Sequence, residues 1–219
     1  PSYPRDWRAH TSDNHQNVQP KEAAMEQEAL NEEFMTAQEL QTVHWCNSDG
    51  TLTLAGLRGR VVLIEAFQML CPAGVSQGLP QAQRVAQLFD AQDICVLGLH
   101  TVFEHHAAQG TREALEAFLH EYRITFPVGI DAPAASGGLP RTMAACGMRG
   151  TPTLLLIDHL GRLRKHAFGV EQDLALGAEI MALISEARAQ PASMPSAESL
   201  PAGCDKSGCS VPSIGQHRD

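Results

Sequence analysis

An α/β fold with a partly parallel sheet is the fold class that the sequence predicts, on two observations. First, apolar segments of strand length alternate along the chain with amphipathic segments of helical length, as β–α–β units require. Second, two strand-like runs flank Gly161 near the end of this region, which indicates a late antiparallel hairpin at the edge of the sheet.

The individual elements can be assigned in chain order. GRVVLIEAF is a continuous apolar run rich in β-branched residues, typical of a central strand buried on both faces. LPQAQRVAQLF predicts a helix, DICVLGLH a second buried strand, and TREALEAFLHEYR a helix with Thr111 as its N-cap. TPTLLLIDHLGRLRKHAFG predicts strand, turn and strand, and LALGAEIMALISEARA predicts the closing helix.

Composition divides the chain into three parts. Residues 1–39 are polar and predict an N-terminal extension with a short amphipathic helix over 21–35. Residues 40–188 contain the α/β domain. Residues 189–219 are rich in Pro, Ser, Ala and Gly and predict a disordered tail, which carries Cys204 and Cys209.

Charge and cysteine usage limit the partners and the compartment. The 25 acidic and 16 basic residues give a net charge of −9, which argues against a nucleic-acid partner. No run of about 18–20 apolar residues predicts a membrane span. The six cysteines are too widely spaced for a compact disulfide scaffold. We therefore expect a cytoplasmic protein, or a periplasmic one if a signal peptide was removed.

Cys71 and Pro72 directly follow the first buried strand, in the segment QMLCPAG. If a helix begins here, its unpaired N–H groups and its dipole favour the thiolate form of Cys71. A thiolate is the nucleophile that attacks a disulfide or a peroxide. Pro72 suits the first helical position. The alternative is that Cys71 is only a small buried apolar residue.

Three motifs together resemble the thioredoxin-like redoxin family, meaning TlpA/ResA-type thiol–disulfide oxidoreductases and the related peroxiredoxins. They are SDGTLTLAGLRGRVVLIEAF, the Cys71-Pro72 pair, and GMRGTPTLLLIDHLGRL. The resemblance covers residues 43–186. It implies a thioredoxin-like fold with a central mixed sheet flanked by helices, thiol–disulfide exchange as the activity, and no cofactor.

The resemblance also implies roles for individual residues. Cys71 would be the attacking thiol, and Thr151 and Pro152 would form a cis-proline loop that faces it and, with Pro72, binds the substrate. Glu65 interrupts the first buried strand and matches the buried acid that relays protons in thioredoxin. The alternative for Glu65 is a carboxylate at an edge, or one paired with a nearby Arg or His.

The chain departs from the family pattern in the aromatic pair before the active cysteine, where Phe67 and Leu70 stand, and at two positions that bear on the chemistry. Gly74 stands where a CxxC motif has its second cysteine, and Gln68 stands where peroxiredoxins have a threonine. A mixed disulfide at Cys71 would then be resolved by an external thiol or by another cysteine of the chain, or else no turnover occurs. The candidates for internal resolution are Cys146, Cys204 and Cys209; Cys95 is expected to be inert core, and nothing brings Cys46 close to Cys71.

The leading function is therefore a thiol-dependent oxidoreductase that acts on protein or small-molecule thiols and disulfides with an external thiol reductant. A peroxide-reducing antioxidant is the second hypothesis, and a non-catalytic binding module that retains the groove is the third. His100, His105 and His106 lie at and after the end of the second strand, and a metal carrier that uses them with a thiol is a fourth hypothesis. A solvated polar loop is the expectation there, with no resident metal.

Overall fold

A computed structural model describes residues 34–135 and 137–189 of the chain. Six strands and five α-helices follow one another in these residues: β1 Thr42–Cys46, β2 Val61–Phe67, α1 Leu79–Leu88, β3 Ile94–His100, α2 His106–Gln109, α3 Arg112–Glu121, β4 Val128–Asp131, α4 Arg141–Ala145, β5 Thr153–Ile157, β6 Leu163–Phe168 and α5 Asp173–Ala189. None of the described helices is long and apolar enough to cross a membrane.

The strands form one mixed sheet in the order β1-β4-β3-β2-β5-β6. β2, β3 and β4 run parallel, whereas β1 is antiparallel to β4, and β5 and β6 form the antiparallel hairpin predicted around Gly161. Gly161 has a φ of +74°, which a residue with a side chain rarely adopts. The predicted thioredoxin-like arrangement, a central mixed sheet flanked by helices, is confirmed.

Every residue of β2 is buried, because an apolar cluster packs against each face of the sheet. Val61, Leu63 and Phe67 point to the side of α1, α3 and α5, and Val62 and Ile64 point to the opposite side. A strand without an exposed face is typical of the centre of a parallel sheet. β2 thus fixes the position of the segment that follows Phe67, which includes Cys71.

The helix after β2 begins earlier than the sequence predicts. It starts at Pro72 and contains a π-helical segment, Gly74–Gly78, before it continues as α1. π-Helical turns within α-helices occur frequently at functional sites. β1, β4 and α4 were not assigned from the sequence, because β4 and α4 are only four and five residues long.

The segment just before β1 is hydrogen-bonded to the hairpin of β5 and β6. The Ala37 N–H donates to the Gly161 carbonyl at 3.0 Å, and the Leu163 N–H donates to the Met35 carbonyl at 2.9 Å. Phe34 and Met35 are not helical, and the rest of the helix predicted over 21–35 lies outside the described residues, as does the tail with Cys204 and Cys209.

Candidate active site

Cys71 lies at the carboxyl end of β2 and at the amino end of the long helix. Its carbonyl accepts the first helical hydrogen bond, from the Val75 N–H at 3.0 Å, and its own N–H donates to the Gln68 carbonyl at 3.1 Å. The side chain is partly exposed. Cys71 therefore occupies the N-cap position, where the unpaired N–H groups of the first turn favour negative charge.

The loop before β5 lies directly against this cysteine. The Cys71 thiol donates to the Thr151 carbonyl oxygen at 3.3 Å. The Thr151–Pro152 peptide bond is cis, and the Pro152 carbonyl accepts from the Gly169 N–H at 2.9 Å. The structure thus brings together Cys71, Thr151 and Pro152, three residues that the sequence analysis assigned to one site.

Glu65 is buried behind the same loop, with 2% of its surface exposed. Its Oε1 atom has no hydrogen-bond partner among the described residues, and burial alone raises the pKa of the carboxyl to about 8. A Cβ atom added at Gly78 would collide with this carboxyl group and would lie 3.3 Å from Cβ of Pro152. Glu65 is therefore enclosed between the π-helical segment and the cis-proline loop.

Two buried glutamines hold the segment that presents Cys71, and sequence reasoning missed this function. The Gln109 side chain donates to Oε1 of Gln68 at 3.1 Å and to the Glu104 carbonyl at 2.9 Å, and its Oε1 accepts from the Leu70 N–H at 3.0 Å. Gln68 also accepts from the Phe103 N–H at 3.2 Å. Both side chains are about 1% exposed. Gln68 thus holds the segment before Cys71 against the Phe103 backbone and Gln109.

Gly74 leaves an opening beside the thiol. A Cβ atom built on Gly74 would lie 3.6 Å from Cβ and 3.6 Å from Sγ of Cys71, and 3.6 Å from Cβ of Phe67. These are ordinary van der Waals distances. The backbone at residue 74 therefore leaves room for a side-chain atom beside the Cys71 thiol.

The other described cysteines are free and lie in packed surroundings. Cys46 belongs to one apolar cluster, and Cys95 and Cys146 pack against the other. Burial raises the thiol pKa of all three, and nearby carboxylates raise it further at Cys46 and Cys146. Among the described residues no hydrogen bond joins Cys146 to Cys71, so resolution by Cys146 stays a prediction.

The three histidines after β3 do not form one solvated loop. His100 is the last residue of β3 and is only 1% exposed, so that burial lowers its pKa to about 4. Its ring lies 5.4 Å from the ring of Phe67. His105 and His106 are exposed, as expected. The expectation for His100 is wrong, because the parallel strand carries it into the core.

Exposed apolar side chains border the site on both sides. Leu70, which precedes Cys71, is 54% exposed, and Phe168, at the end of β6, is 51% exposed. The Arg149 guanidinium lies 5.1 Å from the centre of the Phe168 ring. The surface next to Cys71 and the cis-proline loop is therefore partly apolar.

Comparison with solved structures places the chain among thioredoxin-like proteins. A crystal structure described as a thioredoxin-like superfamily protein shares 60% identity over 68% of this chain and 96% of its own, with a TM-score of 0.67. A thiol-disulfide isomerase from Corynebacterium glutamicum shares 43% identity over 68% of this chain and 96% of its own, with a TM-score of 0.65. A protein named as a putative thiol:disulfide interchange protein DsbE from Chlorobium tepidum, 20% identical with a TM-score of 0.54, shares the fold.

Comparison with protein-family models and with curated proteins gave no match. The identities of 60% and 43%, each over nearly the whole of the matched chain, nevertheless decide the class. The chain belongs to the thioredoxin-like superfamily.

Proposed function

We propose that this protein is a thiol–disulfide oxidoreductase that uses Cys71 as its single nucleophilic thiol. The observation that carries the proposal is the position of the Cys71 sulfur, at the amino end of a helix and 3.3 Å from the Thr151 carbonyl of the cis-proline loop. The relative from Corynebacterium glutamicum, a thiol-disulfide isomerase by name, supports the same chemistry.

The first step follows from the geometry. The Cys71 thiolate attacks one sulfur of a substrate disulfide, a new S–S bond forms between Cys71 and that sulfur, and the other sulfur leaves as a thiolate. The helix amino end stabilises the negative charge on the attacking sulfur. The backbone of Thr151 and the ring of Pro152 border the place where the substrate chain binds, and Pro72 lies on the helix side of it.

Glu65 is the proposed proton relay. A carboxyl group with a pKa of about 8 carries a proton at neutral pH and can release it near neutrality, as a general acid–base must. Its unpartnered Oε1 behind the cis-proline loop can receive or donate this proton. The leaving thiolate requires one proton per exchange.

The second step needs a thiol that residue 74 does not supply. We propose that it comes from outside the packed domain, from a small external thiol or from Cys204 or Cys209, because burial disfavours the thiolates of the other described cysteines. That thiol attacks the Cys71 sulfur of the mixed disulfide, and the substrate sulfur leaves as a thiolate. A further external thiol then attacks the new disulfide and releases Cys71 as the thiolate. With a free thiol on the substrate itself, the same cysteine catalyses isomerisation without net electron transfer.

The proposal extends to the substrates of the protein and to its compartment. The expected substrates are disulfides of polypeptides or small molecules. A peroxide substrate is less favoured, because the Gln68 side chain is occupied by the Phe103 N–H and Gln109. Four free thiols among the described residues fit a reducing compartment such as the cytoplasm.

Mass spectrometry of the reduced protein after exposure to glutathione disulfide tests the assignment. In a Cys204→Ser/Cys209→Ser background, which removes resolution by the tail, we expect one glutathione per chain, attached at Cys71, and no fast adduct once Cys71→Ser is added. Cys95→Ser is the matched control, since it removes a packed thiol and should leave the reaction unchanged. Equal labelling of several cysteines, or an unreactive Cys71, would overturn the proposal.

Disulfide mapping after one equivalent of oxidant then identifies the second thiol. A bond from Cys71 to Cys204 or Cys209 supports internal resolution by the tail, and a bond to Cys146 would show that the packed segment opens. Persistence of the glutathione adduct until free glutathione is added supports an external thiol.

A further inference from the structure

Three side chains with different ligand atoms converge at the sheet edge farthest from β6. His44 and Cys46 belong to β1, and Glu116 belongs to α3. The imidazole nitrogen, the thiol sulfur and the carboxylate oxygen that each can offer all lie within 4.8 Å of one another. This group is not evident in the sequence, because Glu116 is remote from β1 in the chain.

The fold holds these three residues on two regular elements. His44 and Cys46 are two residues apart in a strand, so their side chains share a face. β1 is paired with β4, where His44 is opposite Ile130 and Cys46 is opposite Val128. α3 packs through Leu115 and Leu119 into the same apolar cluster that contains Cys46. The convergence therefore follows from tertiary packing and not from a loose loop.

We propose that His44, Cys46 and Glu116 bind a divalent transition-metal ion of the zinc type. Imidazole, thiolate and carboxylate are the three side-chain ligands that zinc uses in proteins. Bond lengths of about 2.0–2.3 Å place the ligand atoms of a tetrahedral zinc site roughly 3.4–3.7 Å apart. The observed separations, at most 4.8 Å, require a closure of about 1 Å, which rotation of the partly exposed Glu116 side chain supplies.

The surroundings leave room for a fourth ligand. His44, Cys46 and Glu116 line an open cavity of about 970 Å³ that also includes Arg112 and His120. Three protein ligands and an accessible fourth position, filled by water or by another donor, are characteristic of zinc sites that are not purely structural.

Without a bound metal ion, the Arg112 guanidinium is the positive charge next to the Glu116 carboxylate. Its Nε atom donates to Oε1 of Glu116 at 2.6 Å, and about half of each side chain is exposed. A metal ion competes with this guanidinium for the same carboxylate. Removal of Arg112 should therefore strengthen metal binding, which distinguishes a true site from general loss of structure.

The proposed metal site is independent of the proposed thiol exchange. Cys46 is paired with Val128, the first residue of β4, whereas Cys71 follows the last residue of β2. In the strand order β1-β4-β3-β2, β4 and β3 lie between the strand of Cys46 and the strand that leads to Cys71, so the two cysteines are separated across the width of the sheet. Metal at Cys46 should leave the reaction of Cys71 with glutathione disulfide unchanged.

Cobalt titration of the reduced, tag-free full chain tests the proposal, since Co²⁺ reports thiolate ligation by a charge-transfer band in the near ultraviolet. We expect one band, displaced by Zn²⁺, that is lost in Cys46→Ser and retained in Cys95→Ser, Cys71→Ser and Cys204→Ser/Cys209→Ser. The proposal is wrong if the band survives in Cys46→Ser, if it disappears in Cys71→Ser or the tail variant, or if no band forms.

Two surface variants keep the test decisive if Cys46→Ser does not fold. We expect His44→Ala and Glu116→Gln each to weaken Co²⁺ and Zn²⁺ binding by at least about 10-fold, since even residues that only support ligands contribute that much. Glu113→Gln, on the same helix, is the control and should have no effect, whereas Arg112→Ala should bind more tightly. Unchanged affinity in His44→Ala and Glu116→Gln would refute the assignment.

Discussion

Replacement of Gly74 by cysteine should create a working dithiol site without movement of the backbone. The Cβ atom that a side chain adds at residue 74 lies 3.6 Å from Cβ of Cys71. Disulfide-bonded cysteines have Cβ atoms about 3.5–4.5 Å apart, with a mean near 3.8 Å. Because residue 74 does not have a positive φ, a side chain there causes no backbone strain.

The expected stabilisation by the new disulfide can be estimated from the loop that it closes. Residues 71 to 74 enclose only four residues, for which the chain-entropy relation gives about 2 kcal/mol at 25 °C. The loss of a glycine from the helix contributes a few tenths of a kcal/mol to both redox forms of the variant, so it cancels in their difference. The oxidised variant should therefore exceed its reduced form in free energy of unfolding by about 2 kcal/mol.

The main effect is on the release of mixed disulfides. In a Cys204→Ser/Cys209→Ser background, the chain with Gly74 should retain glutathione on Cys71, whereas Gly74→Cys should lose it within the dead time of mixing, because the second thiol is intramolecular. Mass spectrometry after an acid quench measures both. Gly74→Ser controls for the added side chain. Persistent glutathionylation of Gly74→Cys, or two thiols that remain free after oxidation, would refute the geometry.

Three further predictions concern buried polar groups near the site. Glu65 stays protonated in the fold up to about pH 8 but ionises near 4.5 in the unfolded chain, so it lowers the free energy of unfolding by about 1.4 kcal/mol per pH unit as the pH rises between these values. Denaturant titrations should show that Glu65→Gln removes this slope; a pH-independent difference from the parent would contradict it. Gly78→Ala should destabilise the fold by about 1–3 kcal/mol through its collision with Glu65, and this cost should shrink in a Glu65→Ala background, whereas equal costs would exclude the contact. Gln109→Ala should cost about 1–3 kcal/mol because the Leu70 N–H loses its acceptor; thermal unfolding beside the exposed control Gln92→Ala measures it, and equal stability of the two variants would contradict the role.

Sequence periodicity was sufficient for the long elements of this fold. β2 could be predicted because a strand buried on both faces reads as a continuous run of mostly apolar residues. All seven of its residues are indeed buried. Thr111 was correctly identified as an N-cap: its side chain accepts from the Ala114 N–H at 3.2 Å. The strand β1 was missed because it is short, lies at an edge, and mixes polar with apolar residues.

The residues of the candidate site that belong to a sequence motif could be predicted, whereas those whose role depends on tertiary contacts could not. Cys71 and the Thr151–Pro152 pair are recognisable from motifs that survive in one sequence. Gln68 and Gln109 are ordinary polar residues whose hydrogen bonds arise only when two loops meet. His100 resembles a surface histidine in the sequence, yet the register of β3 against β2 places it opposite Phe67 in the core.

The glycine at position 74 also changes how the protein would respond to its surroundings. A dithiol that closes on itself releases two molecules of glutathione for each glutathione disulfide consumed, so its oxidation depends on the square of the glutathione concentration. A lone thiol such as Cys71 exchanges one for one, and its occupancy depends only on the ratio of the two forms. Dilution of a glutathione pool at constant ratio would therefore oxidise a CxxC protein, whereas the glutathionylation of Cys71 would stay unchanged as long as Cys204 and Cys209 do not resolve it.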